Sequence, residues 1–184
     1  MVDASTMHPI TCSVKQFDYP VTMHTIWLSD GEQRAWLRLL AVVELLPGVL
    51  EQQLRRDSGL SHFEYFVLTR LSETENWTLR MTTLARRTNS TLARLSHVAK
   101  RLETQGLMKR APCPSDRRAT NATLTEKGWK RVVSAAPGHV AAVRHNVVDA
   151  ITPAQLSQLR AICDELLVRL DPSGTLTELY DDAP

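Results

Sequence analysis

Six side chains on one face of a predicted helix have the chemistry of a nucleic-acid contact. The helix is expected over residues 90–105, and this face is small near the start and cationic along its length, with no acid before Glu103. The face comprises Ser90, Ala93, Arg94, His97, Lys100 and Arg101. Arginine can donate two hydrogen bonds to guanine, and lysine can neutralise phosphate. The pattern therefore predicts a helix that enters a DNA major groove.

The polar side chains of this helix divide into two expected roles. Those that face base edges are expected to be Ser90, Arg94 and His97. Those that hold phosphates are expected to be Thr91, Lys100 and Arg101. Only the first group would carry sequence preference, because phosphates are the same at every base pair.

Two helices joined by a tight turn would position this face. A short helix is predicted over residues 82–88 and the longer one over 90–105, as in helix-turn-helix proteins. Asn89 is expected to cap the second helix with its side-chain oxygen, and Gly106 to end it in the left-handed conformation. The inward stripe of the longer helix is predicted to be Leu92, Leu95, Val98, Ala99 and Leu102.

A basic hairpin is predicted directly after this helix. Residues 107–111 and 119–124 have the pattern of short strands, and residues 112–118 form the turn between them. Arg117 and Arg118 in this turn suit the narrow, electronegative minor groove. Asp116 is expected to orient Arg118, with a free surface carboxylate as the alternative.

The positive charge of the chain is concentrated in this segment. Residues 80–131 contain 13 basic and 3 acidic side chains, a net charge of +10, whereas the whole chain carries +2 and the remainder therefore −8. A basic module within an acidic protein is the electrostatic footprint of a nucleic-acid binder. The rival class is a protein–protein adaptor that uses a winged helix without DNA, which would not need this charge.

The same segment resembles the MarR family of winged-helix transcription regulators, most specifically in its Asp-x-Arg wing followed by Leu-Thr-x-x-Gly. One position departs from the family pattern, since Ala119 stands where glycine is common. The resemblance covers about residues 30–172 and implies a third short strand at residues 76–80. The residues that carry it are Leu84-Ala85, Leu95-Ser96-His97, Leu102-Glu103, Gly106-Leu107, Cys113-Pro114-Ser115-Asp116-Arg117-Arg118 and Leu124-Thr125-Glu126-Lys127-Gly128.

Length and composition exclude several other classes. The chain of 184 residues suits one domain with appendages, and its three scattered cysteines do not suggest a disulfide framework. The longest apolar stretch, residues 37–50, is interrupted by charges and proline, so no run approaches the roughly 20 residues of a membrane span. The N-terminus lacks the pattern of a signal peptide, and we expect a cytoplasmic protein.

Helices are predicted on both sides of the basic segment. The first covers residues 30–56 with a kink at Pro47, and a capping box at Ser61 opens another that runs to residue 72. A third long helix is predicted over residues 125–150, kinked or broken at Pro137-Gly138. A second capping box, at Thr152, begins the last helix, which runs to residue 170.

The first helix and the last two helices carry more apolar surface than a winged helix could cover alone. A homodimer in which these helices pack together is expected. The alternative is a monomer that folds them onto its own winged helix, residues 61–124, here called the reading head. The fold class is thus mainly α (α+β), a winged helix-turn-helix with long terminal dimerisation helices. Its parts are an N-terminal arm (1–28), a helical dimerisation region (29–60 and 125–172), the DNA-binding winged helix (61–124) and an acidic tail (173–184).

No motif indicates an enzyme, a cofactor or a metal site. His145 and Asp149 could share a helix face, but further ligands are missing and a solvated polar pair is favoured. Cys113 lies between two prolines among Lys109, Arg110, Arg117 and Arg118, and a cationic setting lowers a thiol pKa. A redox sensor at Cys113 is therefore one alternative, and a spectator thiol is the other.

An effector site is implied by the resemblance, because many family members bind a phenolic or aromatic compound where the first helices meet the reading head. The candidate contacts are Trp36, His62, Tyr65 and Phe66. Plain core packing is the alternative for all four. The function expected from the sequence is a repressor that binds a pseudo-palindromic operator as a homodimer and is released by a small molecule.

Overall fold

The first helix, α1 (Asp30–Ser58), begins at a capping arrangement in which Ser29 and Glu32 bond to each other's backbone amides. The computed structural model describes residues 27–176, so nearly all of the predicted arm and most of the predicted acidic tail lie outside the described residues. Two compact units divide between Leu39 and Leu40. The helix continues through Pro47 and ends before Gly59, whose φ of 72° is left-handed.

The second helix, α2 (His62–Ser72), starts at the predicted capping box. Ser61 Oγ accepts from the Glu64 backbone N–H at 3.0 Å, and the Glu64 carboxylate accepts from the Ser61 backbone N–H at 2.8 Å. Val67 and Leu71 of this helix are fully buried. This helix packs against the helix-turn-helix and against the helix that follows the wing.

The helix-turn-helix consists of α3 (Met81–Arg87) and α4 (Leu92–Thr104). The predicted cap at Asn89 is wrong, because Asn89 lies in the left-handed turn (φ 44°) and Thr91 is the cap, accepting from the Arg94 N–H at 3.2 Å. Leu92 was expected in the inward stripe and is instead 46% exposed. Leu92 is the first residue of α4, and the core lies under the later turns of the helix. The other four residues of the predicted stripe are buried.

Three antiparallel strands form a small sheet in the order β1-β3-β2, with β1 at Thr78–Arg80, β2 at Met108–Cys113 and β3 at Asp116–Leu124. The predicted third strand is thus confirmed. The predicted turn was too long, because the strands continue to Cys113 and from Asp116 and leave only two residues between them. A register irregularity at Pro112/Cys113 accommodates the proline, which has no N–H to donate.

The chain then returns through α5 (Glu126–Val143), which Thr125 caps by accepting from the Gly128 N–H. The helix is continuous through Pro137-Gly138, so of the predicted kink or break the break does not occur; a π-helical turn follows at Arg144–Val148. The last helix, α6 (Pro153–Leu170), begins at the predicted capping box of Thr152 and Gln155.

The core lies inside the winged helix and the ends of the helices packed on it. Its largest fully buried side chains come from the helices α1 to α4, from the segment between α1 and α2, and from the start of the sheet: Leu54, Leu60, Val67, Leu68, Leu71, Leu84, Leu95, Leu102, Leu107 and Met108. In contrast, α6 has no buried residue. The described chain thus has one core, and its last helix lies outside it.

Candidate nucleic-acid interface

The outward surface of α4 is organised in two rows. His97 and Lys100 lie on an exposed row, with Ala93 one turn before them. Ser90 is half-buried in the turn before the helix, where its hydroxyl lies 3.0 Å from that of Thr88. Thr91 caps the helix, so its oxygen accepts from the backbone while its hydroxyl hydrogen remains available to an acceptor.

Arg94 and Arg101 form the second row and contact the first turn of α2. The Arg94 guanidinium lies over the Phe63 ring at 4.3 Å, a cation–π distance. Arg101 Nη2 lies 3.0 Å from Glu64 Oε1. Neither contact could be read from the helical pattern of α4 alone, because the partners lie 31 and 37 positions earlier in the chain.

The wing presents Arg117 and Arg118 as exposed side chains near the start of β3. Asp116 accepts from the Arg118 backbone N–H at 3.1 Å, and Arg80 Nη1 lies 3.8 Å from its other oxygen. Asp116 therefore contacts Arg118 through its backbone N–H, and the guanidinium nearest to Asp116 is that of Arg80. Ala119 is not among the residues with positive φ in the described chain, so this wing does not need glycine there.

One contact that the sequence analysis missed ties the wing to α4. Glu103 Oε1 accepts from the Arg110 backbone N–H at 2.7 Å, and the Arg110 guanidinium donates to Glu103 Oε2 at 3.0 and 2.8 Å. These bonds lower the pKa of Glu103, and the hydrogen bonds from the Arg110 side chain are the largest cause. The available signal was that Glu103 is the only acid of a basic helix.

Cys113 is 6% exposed, at the end of β2. Its pKa is lowered, as expected, but chiefly by the Ser115 hydroxyl, whose oxygen lies 3.3 Å from the sulfur. The cation nearby is Arg80, with Nη2 at 4.0 Å, and not one of the four flanking basic residues. Burial limits the access of an oxidant, and a redox role for Cys113 remains a prediction.

Two of the four effector candidates lie together. Tyr65 and His62 of α2 face His139 of α5, with ring centroids 4.8 and 6.0 Å from the His139 ring. Desolvation lowers the pKa of both histidines and raises that of Tyr65. Phe66 instead lies under the Arg70 guanidinium at 4.9 Å.

Trp36 is half-exposed on α1, in the first compact unit. Of the pair His145 and Asp149, the carboxylate of Asp149 accepts from Arg144 Nη2 at 2.6 Å. Within residues 27–176, no group of three or more potential ligands is placed to hold a metal ion. Over that same range, none of the helices combines the length and apolar character that a membrane crossing requires.

The helix-turn-helix, the three-stranded sheet and the basic hairpin beside α4 define a winged helix-turn-helix DNA-binding protein. The model of the MarR family matches residues 60–120 of the chain. A search of curated protein sequences found no match.

Two solved structures from Streptomyces coelicolor are similar over nearly their whole length. The MarR family regulator Sco3205, solved in complex with DNA, is 41% identical over 81% of this chain and 93% of its own, with a TM-score of 0.78. AbsC, another MarR family regulator, is 40% identical over 79% of this chain and 98% of its own, with a TM-score of 0.75. The chain belongs to the MarR family of transcriptional regulators.

More distant structures share the fold alone. CouR from Rhodococcus jostii RHA1, solved with p-coumaroyl-CoA, is 23% identical over 79% of this chain and 97% of its own, with a TM-score of 0.65.

Proposed function

We propose that this regulator is a repressor that binds a pseudo-palindromic operator as a homodimer. DNA binding is supported above all by the exposed basic row of α4 beside an exposed basic wing, in a segment with a net charge of +10. A relative that is 41% identical was solved in complex with DNA, which supports DNA binding by this chain. Repression follows where the operator overlaps a promoter.

Each contact residue has a proposed role that its position supports. Arg94 and His97 read base edges, with Ser90 beside them in the turn. Lys100 and Thr91 hold phosphates, whereas Arg101 lies against α2 and pairs with Glu64. Arg117 and Arg118 enter the minor groove.

The homodimer is supported by the apolar surface that α6 leaves exposed. Ile162 is 58% exposed in the single chain, and Leu156, Leu159, Leu166 and Leu170 are exposed with it. Apolar surface of this extent on one helix marks an interaction face. The second copy is the proposed occupant, because a two-fold dimer also presents two reading heads to a two-fold operator.

Release by a small aromatic effector is the remaining part of the proposal. The Tyr65–His62–His139 cluster supports it, because His139 Nδ1 is buried with no hydrogen-bond partner in the described part of the chain. A phenolic hydroxyl could donate to such a nitrogen. The test titrates a panel of small phenols and aromatic carboxylates into the protein–DNA complex; release of DNA, reduced in His139→Leu, supports the site. Failure of every compound removes the effector and leaves DNA binding intact.

The experiment that tests the central proposal is selection of duplexes from a random pool, followed by footprinting and affinity measurements across a range of salt. The expected result is an inverted repeat and an affinity that falls roughly a thousandfold or more over a fourfold rise in salt, because many phosphates are neutralised. A flat salt response, or no selected sequence, favours the adaptor alternative.

A further inference from the structure

Lys100 and Arg101 are neighbours in the chain but lie in different surroundings on α4. Successive side chains of a helix point about 100° apart, so two adjacent cations cannot face the same partner. Lys100 is exposed and makes no ion pair with any residue between 27 and 176. Arg101 lies on the edge towards α2, where its guanidinium meets the Glu64 carboxylate at 3.0 Å.

Glu64 is both buried and fixed in position. Its side chain is 3% exposed, and its Oε2 accepts from the Ser61 backbone N–H at 2.8 Å. A buried carboxylate requires a close counter-charge. Arg55 is more distant, with Nη1 3.8 Å from Glu64, and makes its own 2.8 Å pair with Glu51, so Arg101 is the close counter-ion.

A second contact lies on the same edge of α4. Arg94 precedes Arg101 by seven residues, or about two turns, and its guanidinium stacks on Phe63, the residue before Glu64. Two consecutive residues in the first turn of α2 therefore hold two arginines of α4. Together with the buried stripe of α4, these two contacts restrain the rotation of the helix about its own axis.

We propose that Arg101 is a positioning residue: its ion pair with Glu64 sets the rotation of α4, and Arg101 does not neutralise a phosphate. The pair thereby determines that the row of His97 and Lys100 faces the groove. This inference rests on the proposed DNA-binding function and reassigns one residue within it.

The two possible roles of Arg101, phosphate contact and positioning residue, predict opposite effects of Glu64→Gln on DNA affinity. The glutamine can still accept from the Ser61 N–H, while the variant loses one negative charge near the binding surface. If Arg101 were a phosphate contact, removing this competing carboxylate would leave DNA binding equal or tighter. If the pair positions α4, binding weakens, and we expect a loss of about tenfold, similar to that of Arg101→Gln.

The experiment measures affinity against salt on one duplex, selected from a random pool by the wild-type protein. The variants are Glu64→Gln, Arg101→Gln, the double variant and the neighbouring control Lys100→Gln. Lys100→Gln is expected to reduce the slope of log affinity against log salt by about 0.9 for each half-site. Arg101→Gln and the double variant are expected to keep the wild-type slope. The double variant is expected to bind within about twofold of either single variant, because one interaction is lost in all three.

Three results would overturn the inference: a slope that falls in Arg101→Gln as in Lys100→Gln, Glu64→Gln binding as tightly as wild type, or additive losses in the double variant. If circular dichroism shows that Arg101→Gln does not fold, the double variant supplies the slope, because it leaves no unpaired buried charge. Wild-type protein that selects no duplex would count against the proposed function itself, before any variant is compared.

Discussion

At the scale of single residues, the role of a basic side chain in this protein depends on what lies beside it. Arg94 rests on an aromatic ring and Arg101 pairs with a buried carboxylate, whereas Lys100, on the other row of α4, is exposed. A guanidinium stacked on a ring is held in one orientation while its edge N–H donors stay available. Arg94 is therefore suited to reading a base and Lys100 to a phosphate.

Replacement of these two residues should have different consequences for sequence preference. Arg94→Ala is expected to reduce the preference for the selected duplex over random DNA by ~1–3 kcal/mol per half-site, because a two-bond contact with a base is lost. Lys100→Ala is expected to weaken binding to both duplexes about equally. Competition binding with the two duplexes measures both effects, and identical preference in the two variants would contradict the assigned roles.

At the scale of elements, the wing and α5 are held to the helix-turn-helix by short, specific contacts. Glu103 and Arg110 join α4 to β2 through three hydrogen bonds. Gly128 brings the first turn of α5 close to the chain at Leu107, between α4 and β2. This close approach gives the Leu-Thr-x-x-Gly motif a physical reason: the threonine caps α5 and the glycine lets it pack.

Gly128→Ala should destabilise the fold. A Cβ at this position would overlap the Leu107 carbonyl oxygen and lie 2.6 Å from Leu124 Cδ1, and the backbone carbonyl cannot simply rotate away. Overpacking of this kind costs about 1–3 kcal/mol or more, which exceeds the gain of ~1 kcal/mol in helix propensity. Urea unfolding measures the loss. The control is Gly48→Ala in α1, where a Cβ meets nothing within 4 Å and stability should stay equal or rise.

The Glu103–Arg110 contact should make stability depend on pH. Because the pKa of Glu103 is lowered in the folded state, its stabilisation is present above the ordinary glutamate pKa and is lost as pH falls through the folded value. Glu103→Gln is therefore expected to be less stable than wild type at neutral pH, with the difference shrinking in acid. Urea midpoints from neutral pH to pH ~3 test this. Glu44→Gln, which removes an exposed carboxylate from α1, should show no such convergence.

At the scale of the whole molecule, the proposed function depends on two copies of the chain. One reading head buries its own core, which draws on Leu84, Leu95 and Leu102, whereas α6 buries nothing. Two linked heads bind two half-sites with a gain in effective concentration that a single head lacks. Assembly and operator affinity are therefore coupled in the proposed mechanism.

Ile162→Asp is expected to dissociate the dimer and leave the reading head folded. A carboxylate at the centre of an apolar interface would be buried without a partner, at a cost that association cannot offset. Light scattering should give a monomer, circular dichroism a folded protein, and operator affinity should collapse. The control Ser157→Asp places the same charge on the opposite side of α6 and should remain dimeric. A wild-type monomer at micromolar concentration would contradict the dimer and the two-fold operator together.

Local interactions made much of this structure predictable from sequence. The capping boxes at Ser61 and Thr152, the left-handed Gly106 and the helix-turn-helix all depend on residues within a few positions of each other. Their physical chemistry is complete within a short segment, so type and spacing sufficed. The basic segment was also visible, because charge can be counted without knowing the fold.

Tertiary structure decided which members of those patterns are used. Leu92 belongs to the apolar period of α4, yet the core stops short of it, and Arg101 belongs to the cationic face, yet a carboxylate 37 positions earlier holds it. The wing strands extended beyond their predicted ends because cross-strand pairing tolerated a bulge at Pro112. In each case the residue that decides the outcome lies on another helix or strand. The periodicity of a single helix or strand shows which side faces the rest of the protein, but not which residue it meets there. The sequence therefore determined which residues are candidates for DNA contact, and packing between α2 and α4 decided which of them already have a partner within the protein.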